Sequence, residues 1–190
     1  MKMPFIEIDG RKIGDSTAII DHLKDLKGDL LDGNLTPLQK AHAVAYQRLL
    51  EENVAPAMVY HRWQTDHGWD RFSRILFRRA PALVRILIGG RLRKKTIKAL
   101  YSQGMGRHSE AEVLEILRKD LRALAEFLGE NHFFFGEKPS TLDCVAFGVL
   151  GNLFSDANLL LQGLGSEFPN LKTHTDRMHE LFQQKASVHS

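Results

Sequence analysis

The sequence predicts a mostly α-helical protein that begins with a small strand–turn–strand–helix unit. Three observations carry this. Apolar and charged residues alternate around a turn signal only before residue 30. From Leu35 onward the apolar residues recur at helical spacing. Ser/Thr-x-x-acid or Ser/Thr-x-x-Gln capping boxes stand ahead of three of those helical runs.

Taken in order, Phe5-Ile6-Glu7-Ile8 reads as a short strand, Asp9-Gly10 as a tight hairpin turn and Lys12-Ile13-Gly14 as the returning strand. Asp15 is placed to cap a helix whose inner face carries Ile19, Ile20, Leu23 and Leu26, with Gly28 as its stop. Two strands and one helix cannot bury a core of their own. Thr36-Pro37-Leu38-Gln39 opens a long helix running to about Asp66, which Pro56 is expected to kink. Helices are expected near 70–79 and 81–103, the second weakened by Gly89-Gly90. Ser109-Glu110-Ala111-Glu112 opens a helix with Val113, Leu117, Leu121, Leu124 and Leu128 inward. Ser140-Thr141-Leu142-Asp143 opens the next, over 140–158. It is apolar nearly all round from Val145 to Phe154 and is expected to be central and fully buried. Phe168-Pro169-Asn170-Leu171 begins a last amphipathic helix through Phe182.

Composition bounds the function class. The 190 residues are 43% hydrophobic and 26% charged, as in an ordinary globular protein. A single cysteine, Cys144, excludes an internal disulfide framework. No apolar run approaches the roughly 18–20 residues of a membrane span. Glu7 and Asp9 interrupt any secretory apolar region, so a reducing, cytoplasmic setting is expected. The net charge of +3 hides an asymmetry: between Arg71 and Lys98 there are ten basic residues and no acidic one. The remainder carries 16 basic and 23 acidic residues, a net of −7. This basic segment has three readings: a solvated helical face first, a peripheral contact with an anionic membrane second, and nucleic-acid binding last. Nucleic acid is not expected as a partner, because no recognised motif is present and only Phe72 and Phe77 offer stacking faces.

A strand–hairpin–helix unit ahead of a helical domain with a buried central helix resembles the cytosolic glutathione transferase fold. Met3-Pro4 precedes the first strand where that family has a cis-proline, and Asp15-Ser16 opens the following helix where the family has an acidic residue and Ser. Ser140-Thr141-Leu142-Asp143, after Phe135-Gly136-Glu137-Lys138-Pro139, is similar to the family's cap on its central helix. Leu50-Glu51-Glu52-Asn53, Tyr60-His61-Arg62-Trp63, Gly104-Met105-Gly106-Arg107-His108-Ser109, Asp120-Leu121-Arg122-Ala123-Leu124 and Phe168-Pro169-Asn170-Leu171 look like the failed-axon-connections branch, related to the metaxins. The resemblance implies a partial thioredoxin-like β-β-α unit over 1–30 and an all-helical C-terminal-like domain over 36–190. It also implies that the strand, helix and strand preceding the cis-proline are missing, so the chain is expected to be a truncated product. The Tyr, Ser or Cys that activates the thiol in active members belongs to those elements. No catalytic residue is therefore assigned in this chain.

The resemblance implies glutathione as co-substrate, no metal, and a small electrophile as second substrate. Met3, Pro4, Asp15 and Ser16 are the candidate binding residues. The N–H groups at a helix start and the Ser16 hydroxyl suit a carboxylate, the Asp15 carboxylate suits an ammonium, and a cis peptide before Pro4 would aim the Met3 backbone at the cysteinyl part. The plain alternative is that Asp15 only caps a helix and Pro4 only starts a strand. Ser140 and Asp143 suggest catalysis but read better as a capping box. Cys144 is expected to be buried and inert. Arg107-His108 is expected to tie down a loop rather than flank a ligand. Glu51, Glu52, Tyr60, Arg62 and Trp63 are either substrate-side residues or an internal polar network. The histidines lack the i, i+4 spacing of a helical metal pair. Two function classes stay open: a conjugating enzyme, and a non-enzymatic interaction module on the same fold, with a protein partner or a homodimer.

Overall fold

The computed structural model describes residues 5–8, 10–155 and 159–187, with no side-chain description for 82–86, 159, 160, 162 and 184–187. Two compact units divide at Lys40 and Ala41.

The first unit holds β1 (Phe5–Ile8), β2 (Arg11–Gly14) and α1 (Ser16–Lys27). The strands pair antiparallel, Phe5 with Gly14 and Ile8 with Arg11, and Gly10 at φ 74° supplies the left-handed turn conformation that a two-residue connection needs. Of the apolar residues expected on the inner face of α1, Ile19 is buried, whereas Leu23 and Leu26 are exposed beside Leu30 and Leu31. Leu23, Leu30 and Leu31 line an open apolar groove of about 320 Å³. Lys24 bridges Asp32 at 2.5 Å and Asp29 at 3.4 Å, which ties the end of α1 to the loop after it.

The helical part comprises α2 (Pro37–Leu49), a π-helical turn (Leu50–Val54), α3 (Ala55–Trp63), α4 (Asp66–Leu76), α5 (Ala82–Gln103), a 3₁₀ turn (Met105–Arg107), α6 (Glu110–Leu128), α7 (Thr141–Leu153), α8 (Leu159–Glu167) and α9 (Pro169–Ser187). The expected kink at Pro56 takes the form of the π turn. Proline has no N–H to give the carbonyl of residue 52. The Ala55 N–H reaches back to the Leu50 carbonyl, and Gln103 Nε2 donates to the orphaned Glu52 carbonyl at 2.9 Å. Helix α3 then packs against α4 so closely that a Cβ on Gly68 would lie 1.7 Å from the His61 carbonyl oxygen.

The core is built on α6, whose five inward leucine and valine positions are all fully buried or nearly so. Against them lie Leu50, Val54 and Ala57, and Leu142, Ala146, Leu150 and Leu153 of α7. Burying each of these larger aliphatic side chains contributes about 1.5–3 kcal/mol. Phe127 extends this core through a stack on Tyr46 with ring centroids 4.1 Å apart. Three expectations need correction. Helix α7 ends at Leu153 rather than 158, because Phe154 closes it and the chain turns toward a separate α8; residues 156–158 lie outside the described residues. It is buried along one stripe rather than all round, with Gly148 exposed and Phe147 lining a cavity, so its apolar composition overstates its burial. Cys144 is half-buried rather than buried.

Candidate functional site

The hairpin fixes where β2 delivers the chain to α1, and Asp15 stands at that junction. Its carboxylate Oδ1 accepts from the Thr17 N–H at 3.0 Å and the Ala18 N–H at 3.4 Å, so it does cap the helix. Capping alone does not explain its backbone. Asp15 sits at φ 79°, ψ 128°, the only positive φ outside glycine among the described residues. Thr65, Ser109 and Ser140 cap α4, α6 and α7 with φ between −70° and −109°. A residue held in such a region costs on the order of 1–3 kcal/mol, and such conformations cluster at ligand clamps and active sites. Asp15 and Ser16 are both exposed, which leaves the Ser16 hydroxyl and the outer edge of the carboxylate open to a ligand. Met3 and Pro4, the other two candidate binding residues, lie outside the described residues.

Ser140, Asp143 and His174 do come together, and the arrangement is not a nucleophile triad. Asp143 Oδ2 accepts from the Ser140 N–H at 2.7 Å and the Ser140 hydroxyl at 2.6 Å. Its Oδ1 accepts from the Phe134 N–H at 2.9 Å and lies 2.8 Å from His174 Nε2. The serine gives its proton to the carboxylate rather than to the imidazole, and all three side chains are sealed from solvent. This is a carboxylate hub that closes the cap of α7 and pins α9 to it.

The Tyr60–Trp63 run is an internal network too. The Tyr60 hydroxyl donates to the His108 carbonyl at 3.1 Å, and burial, then the negative charge of Glu110, push that phenol above its ordinary range. Arg62 donates to the Asn152 carbonyl and lies over the Phe72 ring. Arg107 holds the Tyr101 carbonyl at 2.9 Å, as a loop-tying arginine does. His61 is buried without a hydrogen bond at either ring nitrogen. Burial lowers its pKa first and His67 lowers it further, against the pull of Glu110 at 3.8 Å. Glu51 bonds Gln47 and Arg48 and so faces along its own helix.

One group escapes sequence reasoning. Asp120 on α6 takes a hydrogen bond from Asn53 in the π turn, while its Oδ2 is buried with no hydrogen-bond partner. Burial raises its pKa from 3.8 to about 6, the hydrogen bond opposing. The available signal was position: residue 120 adjoins Leu121 and follows Val113 and Leu117 by whole turns, so it falls at the edge of the buried stripe. Between α7 and α9 lies an open cavity of about 420 Å³, with Phe147 and Phe154 on its walls and Lys172, Asp176 and His179 at its polar side. Among the described residues no group of three or more His, Cys, Asp or Glu is disposed to hold a metal ion.

Comparison with known proteins decides the lineage. The family model described as "Glutathione S-transferase N-terminal domain" matches residues 1–68, and "Glutathione S-transferase, C-terminal domain" matches residues 117–178. An isoprene-epoxide–glutathione S-transferase of Rhodococcus is 34% identical over 95% of this chain and 78% of its own length. The chain belongs to the glutathione S-transferase family. Failed axon connections of Drosophila melanogaster is 32% identical over 94% of this chain, and mouse metaxin-1 is 28% identical over 91%. The chain spans about half the length of those two relatives, 46% and 54%. A glutathione S-transferase from Methylobacterium radiotolerans, solved with glutathione sulfonate, superposes with a TM-score of 0.55 at 18% identity, covering 93% of this chain and 67% of that one. A Legionella pneumophila glutathione S-transferase gives 0.52 at 16%, over 93% and 75%. These two matches speak to the fold.

Proposed function

We propose that this is a glutathione-recognising protein of the failed-axon-connections and metaxin-like branch, whose reaction type is attack of the glutathione thiolate on a small electrophile in the cytoplasm. The Asp15 backbone carries this reading. Other helix caps in the same chain are satisfied at ordinary φ, and the positive φ at Asp15 supports a ligand-facing role for it. It exposes a carboxylate and the Ser16 hydroxyl side by side at the positive end of α1. The carboxylate matches the γ-glutamyl ammonium, and the hydroxyl and helix start match its carboxylate. Met3 and Pro4 would present backbone to the cysteinyl part. Support comes from the Rhodococcus relative, an isoprene-epoxide–glutathione S-transferase by name, and from the solved neighbour that holds glutathione sulfonate.

The thiol itself needs a partner that lowers its pKa before it attacks carbon. Asp15 and Ser16 serve the γ-glutamyl end, and neither is assigned that thiol-activating role. Titration of the purified chain with glutathione is expected to show weak binding, on the order of a millimolar dissociation constant, lost in Asp15→Ala and Ser16→Ala. Conjugation of an epoxide is expected to stay at the uncatalysed rate. Binding unchanged by both substitutions would remove the site. Enzymatic conjugation abolished by Asp15→Ala would show that the chain activates the thiol by itself.

A further inference from the structure

The basic segment takes a definite form in the structure. The inner side of α5 is set by Gly89, where a Cβ would meet the Trp69 and Phe77 rings, and by Arg93, which donates to the Trp63 and Gln64 carbonyls and to Asp66. At 100° per residue the opposite side carries Leu87, Ile88, Arg91, Lys94, Lys95 and Lys98. All six are exposed, Leu87 at 57% and Ile88 at 48%. The four cations have no carboxylate partner among the described residues, and the two large aliphatic side chains lie at one end of the strip they form. From Leu87 to Lys98 that strip is about 16 Å long.

We propose that this outward face of α5 is a peripheral docking surface for an anionic lipid bilayer. The cations meet the headgroup charge, and Leu87 and Ile88 enter the interfacial layer beneath it. Charge selects this occupant. A second copy of the chain would bring two identical cationic strips together. A nucleic acid would want exposed stacking faces, yet Phe72 packs against Trp63 at 5.4 Å and Phe77 lies against α5 beside Gly89. The net −7 outside residues 71–98 adds orientation, because an anionic surface repels the rest of the molecule. The inference stands independently of the glutathione site.

Vesicle flotation with the full chain tests it. Phosphatidylcholine vesicles with a quarter of their lipid replaced by phosphatidylserine should carry the protein at low salt and release it at molar salt, and pure phosphatidylcholine should not carry it. Each Lys or Arg near an anionic surface contributes about five-fold to partitioning, so Lys94→Gln/Lys95→Gln/Lys98→Gln should weaken binding about 100-fold. Leu87→Ser/Ile88→Ser leaves the charge unchanged and should weaken binding at least about ten-fold. These side chains are exposed, so far-UV circular dichroism should match the parent. Equal binding to neutral vesicles would overturn the proposal, as would no effect of the serine pair. So would displacement of the vesicles by an equimolar oligonucleotide, or a dimer that the serine pair dissolves.

Discussion

Replacing Asp120 by Asn should stabilise the protein above neutral pH and lose that advantage in acid. The folded state holds the Asp120 proton more tightly than the unfolded chain does, with a pKa of about 6 against 3.8. The stability this group contributes is therefore fully present below about pH 4 and is lost as pH rises through about 6. At pH 7.5 the carboxylate is ionised beside a hydrogen bond to only one of its oxygens, and it burdens the fold. A difference of about two in pKa, at about 1.4 kcal/mol each, sets a ceiling near 3 kcal/mol. Asp120 retains some solvent, and screening brings the expected gain to about 1–2 kcal/mol. The amide that Asp120→Asn introduces still offers an oxygen to Asn53. Urea unfolding followed by the fluorescence of Trp63 and Trp69 at pH 4.5, 6 and 7.5 would measure it, with wild type and variant compared at each pH so that other titrating groups cancel. A variant destabilised equally at all three pH values would refute the reasoning. It would mean that the carboxylate holds the π turn by a bond the amide cannot replace.

Ser140→Ala should cost about 1–2 kcal/mol, the range for an N-cap side chain. Asp143→Ala should cost more, about 3–5 kcal/mol, because it strands the donors of Ser140 and Phe134 and the imidazole of His174 in a sealed interior; chemical denaturation of both variants compares them. Gly68→Ala should fail to fold or lose more than about 4 kcal/mol, since the 1.7 Å approach is to backbone that cannot step aside; a normal melting transition would disprove the close packing of α3 on α4. Asp15→Gly should be less destabilising than Asp15→Ala by about 1 kcal/mol in thermal melts, because glycine relieves the positive φ that alanine keeps.

What could be read in advance followed from local rules. The hairpin, the capping boxes of α6 and α7 and the α6 stripe depend on residues a few positions apart, and they appear where the pattern put them. The π turn did not show, because Leu50, Val54, Ala57 and His61 keep ordinary helical spacing through it; it is revealed by the Ala55 N–H bonding the Leu50 carbonyl and by the remote Gln103 serving the Glu52 carbonyl that Pro56 leaves without a donor. The break between α7 and α8 did leave a signal, the polar Ser155-Asp156-Ala157-Asn158 after the apolar run, which the expectation of a helix to 158 read through. Within the candidate site, Asp15 and Ser16 were visible as a pair, but the backbone angle that sets Asp15 apart from other caps was not. Asp120 was invisible as a charged group under strain, since its setting depends on Asn53, sixty-seven positions back along the chain.

The Asp143 hub joins events of different range. Its bonds to Ser140 and Phe134 span three and nine residues, while the one to His174 spans thirty-one. The short pair can form while α7 is winding and bend the 133–140 loop early. The long one closes only when α9 arrives. The carboxylate, sealed in the finished fold, is thus exposed for a time during folding: between those two moments it is half-satisfied and still open to water. Changes on its two sides should separate in kinetics. Ser140→Ala should slow refolding, and His174→Phe should mainly hasten unfolding, as the two arms of a chevron plot would record.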